Sequence, residues 1–597
     1  MTGTENSFNF VIVGGGTAGI TLAARLSEDP NTTVCVVEAG EYVTNMHELL
    51  VPGMGTMSHG NPRVDWNLFN VPQKSAHNRT IVQTRGKLVG GSSALNYLAW
   101  GRASKEDYDA LSQLGNPGWN WDGFLPYLKK VEGTEDLTAE AATQFGMRDP
   151  SDAFHGKSGP LKKSILHQWN ELHMPFLDAL VNVGIPRNND TGSGNNVGTF
   201  TGYSTIDSLS KTRSYAATAY YAPIADRKNL TVLTETRSLR VVFEPDSDGE
   251  FLATAVEIVK NGAQSIVKAS KEVILCAGTY MSPALLELSG IGQTDLLNKH
   301  GIKQLVDLPV GENLQDHPWV GVQTEINSKY DTVDVLQDPA RLEQEIQLYQ
   351  EKKEGMLAVG FAAYGFAPLA TVMDNNEVKN FIDKFESSHP TDTNAFKKEK
   401  QLLKEWFSSP EHAQIEYVQL PLFLSYSPKF KAEPGKRYHC NMVGLLHPLS
   451  RGSVHISSSD PLANPLIDTG YLTNPLDVER LVAGVKLMRK ITKTAPYTNG
   501  VDGIYDPPED VFGNDDKLVE WVREKVESFN HPIGTVPMLP KVDGGVVDSS
   551  LKVYGTKNLR VADASIIPLQ ISAHIQHTVY AIAEKAADMI KFEYGIN

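Results

Sequence analysis

The sequence predicts an α/β fold, which becomes an α+β arrangement when all 597 residues are considered. A strand-like apolar segment at 10–13 runs into a glycine turn and then into a helical segment. A second short apolar segment follows at 34–37, and strand-like segments return at 232–233, 273–275 and 559–561. Strands that alternate with helices favour a parallel sheet with helices on its faces, so we expect a Rossmann-like domain.

The glycine turn after the first strand has the spacing Gly14-x-Gly16-x-x-Gly19. Gly14 permits the tight turn, Gly16 lets the backbone approach a pyrophosphate, and Gly19 allows close packing of the helix. The helix N-terminus near Thr17 presents free amide groups to phosphates. Glu38, at the end of the second strand, can accept hydrogen bonds from an adenosine ribose. Glycine turns also serve ordinary packing, but this strand, turn, helix and acidic residue together predict an adenine dinucleotide site.

The composition narrows the class of partner. The chain carries 71 acidic and 55 basic residues, a formal net charge of −16. This charge opposes binding to nucleic acid or to an anionic membrane, so a small neutral substrate fits better. No apolar run approaches the roughly 18 residues that would span a bilayer. The three cysteines, Cys35, Cys276 and Cys440, cannot build a disulfide framework or a zinc cluster, and we predict no metal site.

The start of the chain bears on its compartment. The first strand begins at about residue 8, which leaves no room for a secretory signal peptide. We therefore expect a cytoplasmic protein for the chain as written, and a secreted one if an N-terminal signal has been removed. Glycosylation-type triplets matter only in the second case; they start at Asn31, Asn78, Asn189 and Asn229.

The order of the segments predicts two discontinuous domains, with the chain crossing between them several times. The nucleotide-binding domain is expected to comprise 1–154, 222–316 and 540–597. The second domain is expected to comprise 155–221 and 317–539. Ligand crevices commonly form at such domain interfaces.

Two helical regions have structural interpretations. The Lys/Glu-rich stretch 374–404 has helical propensity, and its charges are expected to form a solvated surface rather than a partner-binding site. A final helix is predicted from about 578 to 592. Its apolar stripe should pack in the core and consists of Tyr580, Ile582, Ala583, Ala586, Ala587 and Ile590.

Four further groups of residues stand out, and the first is a glycine and serine turn suited to close backbone approach to a planar or phosphorylated ligand. They are 85–97 (RGKLVGGSSALNY), 278–292 (GTYMSPALLELSGIG), 310–317 (VGENLQDH), and a C-terminal run of 531–535 (HPIGT), 558–565 (NLRVADAS) and His574. With these motifs the sequence resembles the glucose-methanol-choline (GMC) flavoprotein oxidoreductases, which include glucose oxidase, aryl-alcohol oxidase and FAD-dependent glucose dehydrogenase. The resemblance covers both ends of the chain. The stretch 317–530 matches less distinctively and should hold much of the substrate pocket.

The resemblance implies FAD, not NAD, bound by the nucleotide domain, and a substrate-binding domain built on an antiparallel sheet with helices. Matching positions imply these cofactor contacts: Gly14, Gly16, Thr17, Ala18, Gly19, Glu38, Ala39, Arg85, Leu88, Gly90, Gly91, Ser92, Asn96, Tyr97, Asp563, Ala564, His574 and Ile575. Alternatively, Asp563 could cap the local turn before Pro568, and Ser92 could satisfy backbone groups. Some members attach FAD to a histidine near Asn96. None lies between His77 and His155 here, so the FAD should be non-covalent.

The resemblance also implies a catalytic pair, His531 and His574. In the family pattern the first precedes Pro-x-Gly-Thr, and the second lies six residues before an aromatic residue. That aromatic residue is Tyr580, which favours His574 over His577. Glu416 resembles a family position whose carboxylate supports the second histidine. The alternative is that Glu416 is paired with a nearby cation.

Alcohol oxidation explains why such a pair is needed. A hydride must leave carbon and a proton must leave oxygen, yet a free alcohol is too weakly acidic to lose its proton unaided. An imidazole titrating near pH 6.5 can accept that proton. We expect His531 to be the base and His574 to orient the hydroxyl, while a flavin takes the hydride because no side chain can store two electrons.

The expected substrate contacts are Tyr97, Asn530, His531 and His574. Tyr97 stands where aryl-alcohol oxidases place an aromatic residue, which favours an aryl or furanic primary alcohol. Asn530 replaces the phenylalanine of those enzymes, so a more polar, sugar-like alcohol stays open. The product would be an aldehyde or a lactone, and the electrons would pass to oxygen or to a quinone-type acceptor. The alternative function is that of a non-redox FAD-containing lyase or cyclase of the same family.

Overall fold

A computed structural model describes residues 7–147, 151–388, 394–426 and 430–596. The strands are β1 (Ser7–Val13), β2 (Val34–Val37), β3 (Leu68–Phe69), β4 (Val82–Gln83), β5 (Ala99–Trp100), β6 (Glu132–Thr134), β7 (Leu161–Lys163), β8 (Gly198–Thr201), β9 (Tyr203–Ser204), β10 (Ile206–Asp207), β11 (Thr212–Arg213), β12 (Leu230–Leu233), β13 (Arg237–Pro245), β14 (Phe251–Lys260), β15 (Ala263–Leu275), β16 (Pro318–Ile326), β17 (Ala363–Ala367), β18 (Ile415–Leu420), β19 (Arg437–Leu445), β20 (Ser453–His455), β21 (Leu466–Asp468), β22 (Val501–Asp506), β23 (Glu527–Ser528), β24 (Thr556–Lys557) and β25 (Leu559–Val561). The α-helices are α1 (Thr17–Leu26), α2 (His47–Leu50), α3 (Lys105–Gln113), α4 (Trp121–Val131), α5 (Ala139–Phe145), α6 (His173–Asn182), α7 (Gly278–Leu288), α8 (Thr294–Lys299), α9 (Pro339–Lys352), α10 (Leu369–Val372), α11 (Asn375–Ser387), α12 (Asn394–Ser408), α13 (Pro475–Thr492), α14 (Glu509–Phe512), α15 (Asp515–Lys525) and α16 (Gln576–Tyr594).

The first large sheet has the order β12-β2-β1-β15-β14-β13, with β25 beside β15 and β24 beside β14. Strands β12, β2, β1, β15 and β25 run parallel, whereas β13 and β14 form an antiparallel edge. Every residue of β2 and the last four residues of β1 are buried, which is typical of parallel strands covered on both faces. Helices α1 and α16 pack together beside this sheet. The predicted α/β fold is therefore confirmed.

The second large sheet has the order β22-β16-β19-β18-β17-β8, with β23 paired to β16. All of these pairings are antiparallel. Side chains alternate between its faces. Along β18, Ile415 and Tyr417 join the apolar cluster that includes α13, while Val418 and Leu420 join a cluster on the opposite face. Both faces are covered, because all six β18 residues are buried.

The strands of the two sheets come from different stretches of the chain. Those of the first sheet fall within the segments expected for the nucleotide-binding domain, and those of the second within the segments expected for the substrate-binding domain. The domain boundaries themselves stay a prediction.

The Lys/Glu-rich stretch is helical, as predicted, and forms α11 and most of α12; residues 389–393 lie outside the described part of the chain. It does more than present charge to solvent, because Phe381, Phe385, Trp406 and Phe407 form a buried cluster between the two helices. The final helix spans Gln576–Tyr594, and its six predicted core residues are all buried.

The three cysteines are buried and have free thiols. In the described residues, every helix is too short or too polar to cross a bilayer.

Candidate active site

A cavity of about 320 Å³ lies where the carboxyl ends of β1, β2 and β15 meet one face of the second sheet. The first sheet contributes Val13, Val37 and Cys276 to its lining, each at or just after a strand end. Ligands of open α/β sheets bind outside these carboxyl ends. The second sheet supplies the opposite wall, so the cavity lies between the two sheets.

In the glycine turn, the protein's own packing requires glycine at two positions, Gly14 and Gly19, but not at Gly16. Gly14 has φ +100°, and a Cβ there would lie 2.5 Å from the Cys276 carbonyl oxygen. A Cβ at Gly19 would lie 1.9 Å from the Gly14 carbonyl oxygen. At Gly16 the nearest atom would be Gly91 Cα, at 3.7 Å. Gly16 thus leaves room beside the cavity, which fits the close approach of a cofactor backbone.

Glu38 lies at the end of β2 and lines the cavity. Its carboxylate accepts hydrogen bonds from the Gly15 amide at 2.7 Å and the Gly40 amide at 2.8 Å. Burial raises the pKa of Glu38 to about 7, against the opposing effect of these amides. The remaining acceptor capacity of the carboxylate suits ribose hydroxyls.

The turn at 85–97 lies on the cavity wall through Arg85, Gly91, Ser92, Asn96 and Tyr97. The Asn96 side chain already makes hydrogen bonds to other residues of the protein. It donates to Gln576 Oε1 at 2.8 Å and accepts from the Leu98 amide at 3.0 Å.

Of the other residues predicted to contact the cofactor, some line the cavity and others lie behind its wall. Thr17, Ala18, Ala39, Ala564 and Ile575 line the cavity. Leu88 and Gly90 lie behind the lining: Leu88 is fully buried, and a Cβ at Gly90 would meet the Tyr215 ring at 2.8 Å. These two residues support the turn from behind.

Asp563 lines the cavity, but its carboxylate is bonded to the protein. Oδ2 accepts from the Gly278 amide at 2.8 Å and Ser282 Oγ at 2.6 Å, and Oδ1 accepts from the Ser565 amide at 2.8 Å. The residue therefore caps the 3₁₀ turn Ala564–Ile566, the alternative considered from the sequence. Contact with a flavin stays a prediction.

The two predicted catalytic histidines lie side by side on the cavity wall. The ring centroids of His531 and His574 are 4.9 Å apart. His574 Nε2 is 2.7 Å from Glu416 Oε1, and Glu416 is fully buried. The geometry thus brings together three residues from β18, the loop after β23 and the segment before α16. The Phe529 ring stacks on His531, with the ring planes 8° apart.

Two residues of the 310–317 motif hold His531 from behind. The His531 amide donates to Asp316 Oδ1 at 2.7 Å, and Asp316 Oδ2 also accepts from Tyr471 Oη and Ser528 Oγ. His531 Nδ1 is 2.9 Å from His317 Nδ1. The motif was visible in the sequence, but neither residue could be given a role, because their partner lies more than 200 positions away along the chain.

The ionisation of His531 differs from expectation. The sequence led us to expect an imidazole titrating near pH 6.5. Burial first, and then the neighbouring histidines and Arg85, hold the pKa of His531 well below its usual range. The imidazole is consequently neutral at neutral pH, because the low dielectric disfavours its charged form.

The wall opposite the nucleotide turn is mostly aromatic and apolar. It includes Trp319, Phe361, Tyr364, Val418, Leu420, Leu424, Tyr426, Met442 and Phe529. Sequence reasoning identified none of these. Those on strands have alternation as their only local signal, which shows that a residue faces a core but not which cavity it borders. Phe361, Leu424, Tyr426 and Phe529 lie outside the strands and lack even that signal.

Asp107, His412 and His447 form a buried group with metal-ligand chemistry. Its polar atoms are engaged with one another and with the protein: His447 Nε2 lies 2.8 Å from Asp107 Oδ1, and Asp107 Oδ2 accepts from Ser104 Oγ at 2.9 Å. Burial opposes ionisation of Asp107, but its electrostatic interactions and hydrogen bonds with His447, His412 and Ser572 lower its pKa. The three residues form a buried hydrogen-bonded network.

Comparisons with known proteins identify a family for the chain. Two family models described as GMC oxidoreductase match residues 8–319 and 448–583. Dehydrogenase mpl7 of Monascus purpureus is 35% identical over 614 aligned residues, which cover 99% of this chain and 97% of that protein.

Solved structures are similar over the whole chain. An FAD-dependent oxidoreductase from Chaetomium thermophilum has a TM-score of 0.89 at 30% identity, covering 99% of this chain and all of that one. A fungal aryl-alcohol oxidase has a TM-score of 0.84 at 28% identity, covering 99% and 100% of the two chains.

Proposed function

The chain belongs to the GMC oxidoreductase family, and we propose that this FAD-dependent oxidoreductase converts a primary alcohol to an aldehyde or a lactone. The observation that carries the proposal is the pair of imidazoles on the cavity wall, 4.9 Å apart. The His574 imidazole is hydrogen-bonded to the buried Glu416 carboxylate, and the His531 imidazole has no such carboxylate partner among the described residues. The two rings are therefore suited to different parts of one reaction.

The residues around the cavity fit FAD. Gly16 leaves space that a methyl group would reduce, and the Glu38 carboxylate is held in place by two amides. When bound, FAD supplies the acceptor for the hydride that leaves the alcohol carbon. We propose that it is held non-covalently, because the turn at 85–97 contains no histidine.

The protein's own groups handle the proton. His531 is neutral and faces the cavity, so it can accept the hydroxyl proton as the hydride leaves carbon. His574 is held by Glu416 at 2.7 Å and can orient the oxygen and stabilise its developing charge. The O–H proton thus goes to His531, and the two electrons of the C–H bond leave with the hydride.

The aromatic wall supports an aryl or furanic substrate over a sugar. Trp319, Tyr364 and Phe529 line the cavity, and aromatic side chains favour contact with a planar aromatic substrate. A sugar would need several hydroxyl partners, and this wall supplies few. The similarity to an aryl-alcohol oxidase points in the same direction. The electrons then pass to oxygen or to a quinone-type acceptor.

The test is flavin bleaching under anaerobic conditions with matched alcohols. Benzyl alcohol and furfuryl alcohol should reduce the flavin faster than cyclohexylmethanol, and much faster than glucose. A panel in which no alcohol bleaches the flavin would contradict the proposal and favour a non-redox lyase or cyclase. Admitting air afterwards separates an oxidase, which reoxidises at once with release of peroxide, from a dehydrogenase.

The base is tested by His531→Ala. We expect flavin reduction to slow by roughly 10²- to 10⁴-fold, the usual contribution of a general base, while the protein still purifies with FAD. The matched control is His77→Ala, a partly exposed histidine paired with Glu520 at 3.4 Å on the surface. Near-normal turnover of His531→Ala would refute the assignment.

A further inference from the structure

His317, the last residue of the 310–317 motif, is fully buried and lies outside the cavity lining. It touches His531 on the side away from the cavity. The proposed chemistry gives it no task, although its side chain contacts the base directly.

The hydrogen bonds of the His317 ring determine which of its two nitrogens carries the hydrogen. Nε2 is 3.0 Å from the Leu446 carbonyl oxygen and 3.1 Å from the Ile571 carbonyl oxygen. Carbonyl oxygens only accept hydrogen bonds, so Nε2 must carry a hydrogen. Burial, with smaller contributions from His447 and His574, lowers the pKa of His317 to about 3, so the ring is neutral. A neutral imidazole has one N–H, which leaves Nδ1 with a lone pair.

This lone pair selects the tautomer of His531. The two Nδ1 atoms are 2.9 Å apart, and a hydrogen bond between them needs one hydrogen. His317 Nδ1 has none, so His531 Nδ1–H must donate. We propose that His317 is a positioning residue that keeps His531 as the Nδ1–H tautomer, with Nε2 bare to receive the substrate proton. This inference rests on the proposed function, in which His531 is the base.

The surrounding contacts hold the His317 and His531 rings in their relative positions. The Phe529 amide donates to the His317 carbonyl oxygen at 3.0 Å, and the His531 amide donates to Asp316 at 2.7 Å. The Phe529 ring also stacks on His531. After the proton arrives on Nε2, the Nδ1–H bond to His317 becomes charge-assisted and stronger. The same contact therefore orients the base and stabilises its protonated form.

Two substitutions at His317 separate this role from a structural one. Asparagine places its amide near the position of Nδ1, so His317→Asn keeps an acceptor for His531 but loses the bonds to the Leu446 and Ile571 carbonyls. Glutamine reaches the position of Nε2, so His317→Gln keeps a donor for these carbonyls but loses the acceptor. A structural role predicts that the glutamine protein is the more active one, and the positioning role predicts the reverse.

We expect His317→Gln to retain FAD and a near-normal melting temperature while flavin reduction slows at least tenfold, toward the ~10⁴-fold cost of a wrong histidine tautomer in serine proteases. His317→Asn should melt lower yet recover most of the lost rate. An asparagine protein as slow as the glutamine protein, or a glutamine protein within about twofold of the wild type, would overturn the inference.

A double substitution tests whether His317 acts through His531. In the His531→Ala background, His317→Gln should change the remaining rate by less than about twofold. A further tenfold loss would show an independent role and overturn the inference. Near-normal turnover of His531→Ala alone would instead refute the proposed base, so the two failures are distinguishable.

A measurement on the wild type does not depend on variant folding. Nitrogen NMR of the ¹⁵N-histidine-labelled holoenzyme should show His531 with a protonated Nδ1 and a bare Nε2. The opposite tautomer would overturn the inference.

Discussion

Replacing Gly16 with alanine separates cofactor binding from folding. The residue has φ −79° and ψ −158°, an extended conformation open to any amino acid. A Cβ there would have Gly91 Cα, at 3.7 Å, as its nearest neighbour, an ordinary van der Waals contact. Because alanine restricts the unfolded chain more than glycine, the apoprotein should gain roughly 0.4 to 1 kcal/mol in its free energy of unfolding.

The same methyl group should weaken FAD binding. Gly16 borders the cavity at the start of α1, where the pyrophosphate is expected. An extra methyl in a well-packed contact typically costs about 1 to 3 kcal/mol. We therefore expect the dissociation constant for FAD to rise by roughly 5- to 150-fold.

The assay has two readouts on deflavinated protein: a urea midpoint without FAD, and a fluorescence titration with FAD. The matched control is Gly19→Ala, whose Cβ would lie 1.9 Å from the Gly14 carbonyl oxygen. That variant should unfold more easily even without cofactor. Our reasoning would be refuted if Gly16→Ala bound FAD as tightly as the wild type, or if its apoprotein were clearly destabilised.

Two further predictions concern charge. Glu416→Gln keeps the shape beside His574 but removes the charge of the carboxylate. A charged hydrogen bond is worth about 1 kcal/mol more than a neutral one, so flavin reduction should slow roughly fivefold with FAD retained. An unchanged rate in stopped-flow reduction would contradict this. Burial lowers the pKa of His317, His439 and His577 to about 3. Below pH 6.5 only the unfolded chain takes up protons at these histidines. The free energy of unfolding should therefore decrease as the pH is lowered, by roughly 1 kcal/mol per pH unit for each of them. Urea midpoints at pH 7.0 and 5.5 test this, and an equal or higher midpoint at pH 5.5 would count against it.

Local features of the chain were predictable because neighbouring residues determine them. Strand Val34–Val37 has the predicted bounds, and α1 begins at the predicted Thr17. The tight turn at Gly14 needs a positive φ, which glycine adopts at little cost, so the spacing of the motif already indicates its backbone path. The histidine pair was found through the family resemblance, since two histidines 43 positions apart have no local signal of proximity.

Other features depend on contacts that no local pattern contains. His317 and His531 are 214 positions apart, and Glu416 and His574 are 158 apart. The acceptors around His317 are main-chain carbonyls, which every residue has and no sequence pattern marks. Asp563 lines the cavity as expected for a cofactor contact, and the hydrogen bonds of its carboxylate to the Gly278 and Ser565 amides also needed the tertiary structure to be seen.

The amino-acid sequence by itself determined the nucleotide-binding architecture, the family and the identity of the paired imidazoles. The architecture follows from backbone preferences and from motifs whose members are close along the chain, whereas the family and the histidine pair follow from the resemblance of several such motifs to known proteins. Only the tertiary structure decided that the His531 imidazole is buried and neutral, that Glu416 supports His574, and which aromatic rings line the cavity. Ionisation and contact depend on burial and on partners brought together from distant segments, and those are properties of the packed molecule.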